Sequence, residues 1–214
     1  MHNIVNNITT ITKELSAINS NTKIIAVSKT FNMDFIKPLV DHGHVDFGEN
    51  KVQEAINKWT EIKEKNSRIK LHLIGKLQTN KVKFCLPLFD YIHSLDNLKL
   101  ADKVANEQVK KNFKPKIFIQ VNVGDEAQKS GVILKEFESF YKKITEDFEL
   151  NIIGLMCIPP FVDDTKKYFE KMIDLKSKTN LKELSMGMSN DYIEAAKYSA
   201  TYVRVGSKIF GTRS

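Results

Sequence analysis

Apolar residues recur along this chain in two alternating rhythms. Ile4, Ile8, Ile11, Leu15 and Ile18 fall at i, i+4, i+7, i+11 and i+14, one stripe of a helix. That helix precedes the first strand and is expected outside the fold or across its bottom. Ile24-Ile25-Ala26-Val27 follows, four apolar residues in a row, two of them the same β-branched type. Such a run reads as a strand buried on both faces, as in a parallel sheet. From there strands are predicted at 23–27, 44–47, 71–74, 91–93, 116–121, 152–155, 183–185 and 202–205. Helical patterns separate them. One runs over 34–42, with Asp34 as N-cap, Pro38 near its first turn and Gly43 as the C′ residue. The next carries Val52, Ala55, Ile56, Trp59 and Ile62 on one side.

A short helix starts near Asn80 and stops by Pro87, and Asp96 or Asn97 caps another bearing Leu98, Ala101, Val104 and Ala105. The polar stretch 122–131 reads as a loop, helices follow over 134–145 and 163–177, another begins at Ser189 or Asn190, and a last short one spans 207–210. Strict alternation implies parallel strands joined by right-handed crossovers. Eight such units imply an α/β fold, a single (β/α)8 TIM barrel with an extra N-terminal helix, as one domain over residues 1–214. An open doubly wound sheet is the alternative architecture.

Hydrophobic residues make up 42% of the chain, enough for a packed core. No apolar run approaches the roughly 20 residues of a membrane span. The start, Met1-His2-Asn3, lacks the basic and apolar regions of a signal peptide, so a cytoplasmic protein is expected. Cys85 and Cys157 lie far apart, outside any C-x-x-C, and read as reduced structural thiols. His42, His44, His72 and His93 do not fall at a metal-site spacing.

The net charge of +7 invites a nucleic-acid reading. Yet the lysines are scattered among glutamates, as in 58–65, and the arginines are only Arg68, Arg204 and Arg213. The charge fits attraction of phosphorylated small molecules better, and neither nucleic acid nor membrane is an expected partner.

Lys29 follows the first strand. The carboxyl ends of parallel strands form the floor of active sites in α/β proteins. A lysine there, with its stem among apolar groups, can present a free amine for an imine with an aldehyde; the alternative is a strand end in water. The loops after the last two strands read Met186-Gly187-Met188-Ser189-Asn190-Asp191 and Gly206-Ser207-Lys208. Each joins glycine to serine at a helix start, where backbone N–H groups, a hydroxyl and the helix dipole favour an anion. Ordinary N-caps are the other reading of Ser189 and Ser207. Arg204 sits on the last strand and needs an acceptor, from an ion pair or from a ligand's ring nitrogen or phosphate. A first-strand lysine, a phosphate cup after the last two strands and an arginine between them suggest pyridoxal 5′-phosphate.

Along nearly its whole length the chain resembles the YggS/PROSC family of pyridoxal phosphate homeostasis proteins, barrels related to the N-terminal domain of alanine racemase. The matching segments are Ala26-Val27-Ser28-Lys29, Phe47-Gly48-Glu49-Asn50 with Gln53-Glu54, His72-Leu73-Ile74-Gly75 with Leu77-Gln78-Thr79-Asn80-Lys81, and His93-Ser94-Leu95-Asp96. Further on come Lys129-Ser130-Gly131, Gly154-Leu155-Met156, Leu184-Ser185-Met186-Gly187-Met188-Ser189 with Asp191, and Val203-Arg204-Val205-Gly206 through Ile209-Phe210-Gly211. Lys76, Asn122-Val123-Gly124-Asp125 and Cys157 depart from the family pattern. The resemblance implies Lys29 as Schiff-base lysine, Asn50 beside the cofactor, Ser189, Gly206 and Ser207 at its phosphate, and Arg204 at its pyridine nitrogen.

Arginine at that nitrogen stays protonated and donates, which leaves the ring a weak electron sink. A non-enzymatic carrier is therefore expected: a monomer that takes part in cofactor homeostasis, supplies apo-enzymes and so affects amino-acid and keto-acid metabolism. The rivals are a pyridoxal-phosphate enzyme, such as an amino-acid racemase or a lysine-imine aldolase, and a basic nucleic-acid binder.

Overall fold

The computed structural model describes residues 4–161 and 164–211. In chain order its elements are α1 (Ile4–Ser16), β1 (Lys23–Val27), α2 (Met33–Asp41), β2 (Asp46–Glu49), α3 (Val52–Lys65), β3 (Lys70–Leu73), α4 (Val82–Cys85), β4 (Tyr91–Leu95), α5 (Leu98–Lys111) and β5 (Lys116–Asn122). Then come β6 (Val132–Ile133), α6 (Phe137–Asp147), β7 (Ile152–Cys157), α7 (Lys166–Ser177), β8 (Glu183–Met188), α8 (Tyr192–Lys197), β9 (Tyr202–Val205) and α9 (Ser207–Phe210). Single 3₁₀ turns, Thr79–Lys81 and Leu134–Glu136, lead into α4 and α6.

All strand pairings are parallel, in the order β4-β3-β2-β1-β9-β8-β7-β5, and a β4–β5 pairing closes the ring. The architecture is thus the eight-stranded barrel, not the open sheet. β1 lies between β2 and β9, with Ala26 opposite Phe47 and Ile25 opposite Arg204. The first and last barrel strands are neighbours, so the loops that follow β1 and β9 meet at one site.

Two apolar layers hold the barrel. Inside, Ile25, Tyr91, Phe118, Met156 and Tyr202 pack together. Outside, strand residues such as Phe47, Leu71 and Ile119 meet helix residues such as Trp59, Leu100 and Phe169. α1 lies outside the barrel against α2, α8 and α9. Its Ile4, Ile8, Ile11 and Leu15 are buried, each contributing about 1.5–3 kcal/mol. Asn7 Nδ2 donates to the Ile209 carbonyl at 2.9 Å, and Tyr192 donates to Glu14, so this helix braces α8 and α9. Ile18 lies beyond the helix end and is exposed.

Several boundaries differ from the sequence pattern. β2 runs through Gly48 and Glu49, poor strand formers, because the ladder pairs them with His72 and Leu73. The N-cap of α2 is Asn32, whose side chain accepts from the Phe35 N–H at 3.1 Å; Asp34 lies inside the first turn. Gly43, at φ 92°, does follow the cap: its N–H reaches the Val40 carbonyl, and the His44 N–H that of Leu39. α8 starts at Tyr192 after Asp191, which leaves Ser189 and Asn190 in the preceding loop. α7 begins at Lys166; its expected start, Asp163, lies outside the described residues, as do Met1-His2-Asn3 and Arg213. Within 122–131 the Asn122 side chain bonds both the carbonyl and the N–H of Glu126, folding the loop so that Val132 pairs with Val121 as the unforeseen β6.

Candidate functional site

β1 ends in a turn that carries Lys29. The Phe31 N–H closes it on the Ser28 carbonyl at 3.2 Å. Thr30 sits at φ 70°, a left-handed conformation that costs a β-branched residue about 1–3 kcal/mol. Glu54 of α3 holds it there, accepting the Thr30 N–H at 2.8 Å. Phe31 stacks on Phe210 of α9, ring centroids 4.9 Å apart, which ties the lysine turn to the loop after β9.

Under the turn lies a buried charged knot. Glu49 Oε1 accepts from Ser28 Oγ at 2.8 Å, Trp59 Nε1 at 2.9 Å and Lys58 Nζ at 3.0 Å. Lys58 also donates to the Ser28 carbonyl at 3.0 Å. Glu49 is wholly buried, and its Oε2 has no hydrogen-bond partner among the described residues. This knot fixes the backbone on the N-terminal side of Lys29. Sequence reasoning missed it; the trace available was Glu49 within the Gly48-Glu49-Asn50 segment.

Beside the lysine turn, the loops after β8 and β9 converge. The ladder between β8 and β9 slips between Ser185 and Met188, so three steps on β8 face two on β9, a bulge. Gly187 takes φ 91° in that bulge, and a Cβ there would lie 2.5 Å from the Ala195 Cβ, so no larger residue fits. The Met188 N–H donates to Asp191 Oδ1 at 2.7 Å, which shapes the following loop. Ser189 Oγ then accepts the Gly206 N–H at 3.3 Å, joining the two corners. Neither serine is an N-cap: Ser189 lies in the loop before α8, and Ser207 is the first residue of α9, whose N-cap is Gly206. The first N–H groups of a helix have no intrahelical partner and remain available to a ligand. Gly206, at φ −118°, is not demanded by its backbone angle.

Arg204 is buried, and its bonds go to neutral groups. Nη1 donates to the Ser185 carbonyl at 2.7 Å and to Ser185 Oγ at 2.6 Å; Nη2 donates to the Cys157 carbonyl at 2.7 Å. No carboxylate ion-pairs with it among the described residues. Burial lowers its pKa from the ordinary value, with the Cys157 and Asp191 charges acting the other way. Asn50 comes from the end of β2. Gly75 lets the chain after β3 pass it, since a Cβ there would lie 2.4 Å from the Asn50 carbonyl oxygen.

All six residues singled out in the sequence, Lys29, Asn50, Ser189, Arg204, Gly206 and Ser207, line one cavity of about 890 Å³ at the carboxyl ends of the strands. Lys129, Met188 and Phe161 also border it and had no assigned place. Lys129 is 2.6 Å from Glu126 and donates to the Pro159 carbonyl at 3.2 Å. Among the described residues no group of three or more His, Cys, Asp or Glu could hold a metal ion. No described helix is long and apolar enough to cross a membrane. Both cysteines are free and buried; burial raises the Cys85 thiol and pushes Cys157 up to about 12. Neither thiol is expected to react with a thiol reagent at pH 8 until the protein is unfolded, when two equivalents should react. Rapid labelling of the native protein would contradict this.

Residues 1–214 match the family model described as alanine racemase, N-terminal domain. Over 200 residues the chain is 36% identical to the pyridoxal phosphate homeostasis protein of Aquifex aeolicus, covering 89% of this chain and 87% of that protein. The chain belongs to that family. The relative of the same name from Haemophilus influenzae is 35% identical over 218 residues, covering 97% of this chain and 92% of the relative. Among solved structures, PipY of Synechococcus elongatus without PLP superposes with a TM-score of 0.89 at 31% identity, covering 97% of this chain and all of PipY. PipY with PLP bound gives 0.86. The alanine racemase of Clostridium difficile shares the fold, with a TM-score of 0.78 at 14% identity, and the match spans 57% of that longer chain.

Proposed function

We propose that this family member is a carrier of pyridoxal 5′-phosphate, acting in homeostasis and supply of the cofactor rather than as an enzyme. The observation that carries the reading is the convergence of all six residues on one cavity, with PipY as a near neighbour that has PLP bound. When bound, the cofactor supplies an aldehyde that a primary amine takes up reversibly.

The donor set of the cavity suits the group. Lys29 contributes the amine. The Ser189 and Ser207 hydroxyls and the backbone N–H groups that open α9 hold the phosphate, with Gly206 at the joint. Asn50, at the end of β2, would lie beside the cofactor. Arg204 would donate to the ring nitrogen and leave it without a proton, because a guanidinium does not give up its own. An unprotonated ring is a poor electron sink, and that disfavours carbanion chemistry such as racemisation. The working unit is one chain of one domain, residues 1–214, since every proposed contact comes from a single barrel. Two buried free thiols suit a reducing compartment, the cytoplasm. The recipients are pyridoxal-phosphate-dependent apo-enzymes.

Purified protein incubated with pyridoxal 5′-phosphate and dialysed is expected to keep a visible absorbance band. It should restore activity to an apo-enzyme and leave D- and L-amino acids unchanged. A colourless protein, or steady racemisation, would sink the reading.

A further inference from the structure

Five side chains cross the barrel interior in one unbroken line. Arg204 Nη1 donates to Ser185 Oγ at 2.6 Å, and Ser185 Oγ lies 2.9 Å from His93 Nδ1. His93 Nε2 lies 3.0 Å from His72 Nδ1, and His72 Nε2 lies 2.9 Å from Asp46 Oδ1. The line starts at the cavity and ends at the first residue of β2, towards the opposite mouth of the barrel. Its three middle members are wholly buried. The His93 ring stacks on Phe118 with centroids 4.2 Å apart, and the His72 ring on Tyr91 at 4.1 Å. The β4–β5 ladder slips between Ile92 and Leu95, where His93 sits, a bulge that re-aims a side chain.

Valence alone orients every proton. With both rings neutral the order is set from the Asp46 carboxylate, which only accepts: His72 donates to it from Nε2, His93 donates to His72, and the Ser185 hydroxyl donates to His93 Nδ1, which leaves an Oγ lone pair for the guanidinium. The His93 proton then sits on Nε2 and points to His72 Nδ1. The His72 proton sits on Nε2 and points to the Asp46 carboxylate. The line is satisfied in this one direction, from a cation to an anion. An imidazolium has two donors and no acceptor, so a proton added to either ring reverses the bond between His93 and Ser185 and turns the hydroxyl hydrogen away from His93. Burial lowers the pKa of both rings, which keeps them neutral; for His93 the His72 and Arg204 charges add to burial, while for His72 the Asp46 bond opposes it. Elsewhere the barrel interior holds Ile25, Phe118 and Met156. Apolar side chains of like volume would be at least as stable as a buried polar line, so stability alone does not account for it.

We propose that Asp46, His72, His93 and Ser185 are positioning residues that aim Arg204 at the ring nitrogen of the bound cofactor. This rests on the function proposed above. The line holds the Ser185 lone pair towards Nη1. A hydroxyl turned the other way would present its hydrogen to the guanidinium and tilt that plane off the nitrogen.

His93→Asn and His93→Leu test the proposal. Both lose the stack on Phe118, and the two new side chains are similar in size. Asparagine keeps an oxygen acceptor near the Nδ1 position, and leucine has none. The leucine variant is expected to shift the visible band of bound pyridoxal 5′-phosphate and to weaken binding roughly tenfold, as for one lost hydrogen bond. The asparagine variant should keep the wild-type band and bind within about threefold of wild type. Equal behaviour of the two variants overturns the proposal. A second measurement uses ligand-free wild-type protein, so it depends neither on variant folding nor on the cofactor. In ¹⁵N histidine spectra at pH 7 both rings should be neutral with the proton on Nε2. A proton on Nδ1 of either ring, or an imidazolium, overturns the line as drawn. Wild-type protein that takes up no cofactor defeats the functional reading instead, while the spectra still report on the line.

Discussion

Lys29→Ala protein is expected to stay colourless after incubation with pyridoxal 5′-phosphate, while Lys37→Ala protein, altered at an exposed helical ion pair, should colour like wild type. The difference is one of placement. Lys29 follows the two buried residues Val27 and Ser28, in a turn held by Glu54 and by the Phe31–Phe210 stack. Its side chain borders the cavity shared with Arg204 and Ser207. The proposed phosphate contacts would remain in the variant, so weak, colourless binding is expected to persist; only the amine proposed to take up the aldehyde is removed. Borohydride reduction of wild-type protein should fix the cofactor's mass on the peptide that contains Lys29, as read by mass spectrometry. A visible band in the alanine variant, or label on another lysine, would remove Lys29 from its proposed place.

Glu49→Ala carries the largest expected loss of stability. The carboxylate answers three donors through one oxygen, and Lys58 is only 9% exposed at its side chain. Removal takes the acceptor from the buried Trp59 indole N–H and the nearest carboxylate from the Lys58 ammonium, which keeps the Ser28 carbonyl at 3.0 Å and Glu54 at 3.5 Å, and leaves the Ser28 hydroxyl only a 3.4 Å contact to the Gly48 carbonyl. Breaking a buried pair from one side costs about 3–5 kcal/mol. Glu49→Gln keeps an acceptor oxygen and should cost about 1–3 kcal/mol. Urea unfolding at pH 7 measures both. An alanine variant within about 1 kcal/mol of wild type would show that the knot is not what secures the lysine turn. The same variant should also bind the cofactor more weakly, because Ser28 then loses the partner that holds the backbone before Lys29.

The two histidines show how local reading reaches its limit. Along the sequence His72 and His93 lack a metal spacing, and although both open segments that match the family, neither has an assigned role there. In the barrel their rings are 5.2 Å apart, because β3 and β4 are adjacent and both side chains point inward. Ser189 shows the converse error. Its position after a glycine resembles an N-cap, yet α8 starts three residues later and the hydroxyl serves the Gly206 N–H instead. Glu49 looked like the start of a loop, and strand pairing made it the centre of a buried knot.

What the amino-acid order alone determined was the alternation of strand and helix, the buried stripe of α1, and the residue types waiting at the strand ends: a lysine after the first, glycine–serine pairs after the last two, an arginine between. These are legible because apolar period and turn chemistry act over a few neighbouring residues. Only the closed ring decided that β1 lies against β9, that Arg204 answers to Ser185 and Cys157, and that Asp46, His72 and His93 join them across the interior. Those contacts link residues tens of positions apart, and no local period records them; they exist only once strand twist and pairing have closed the sheet on itself.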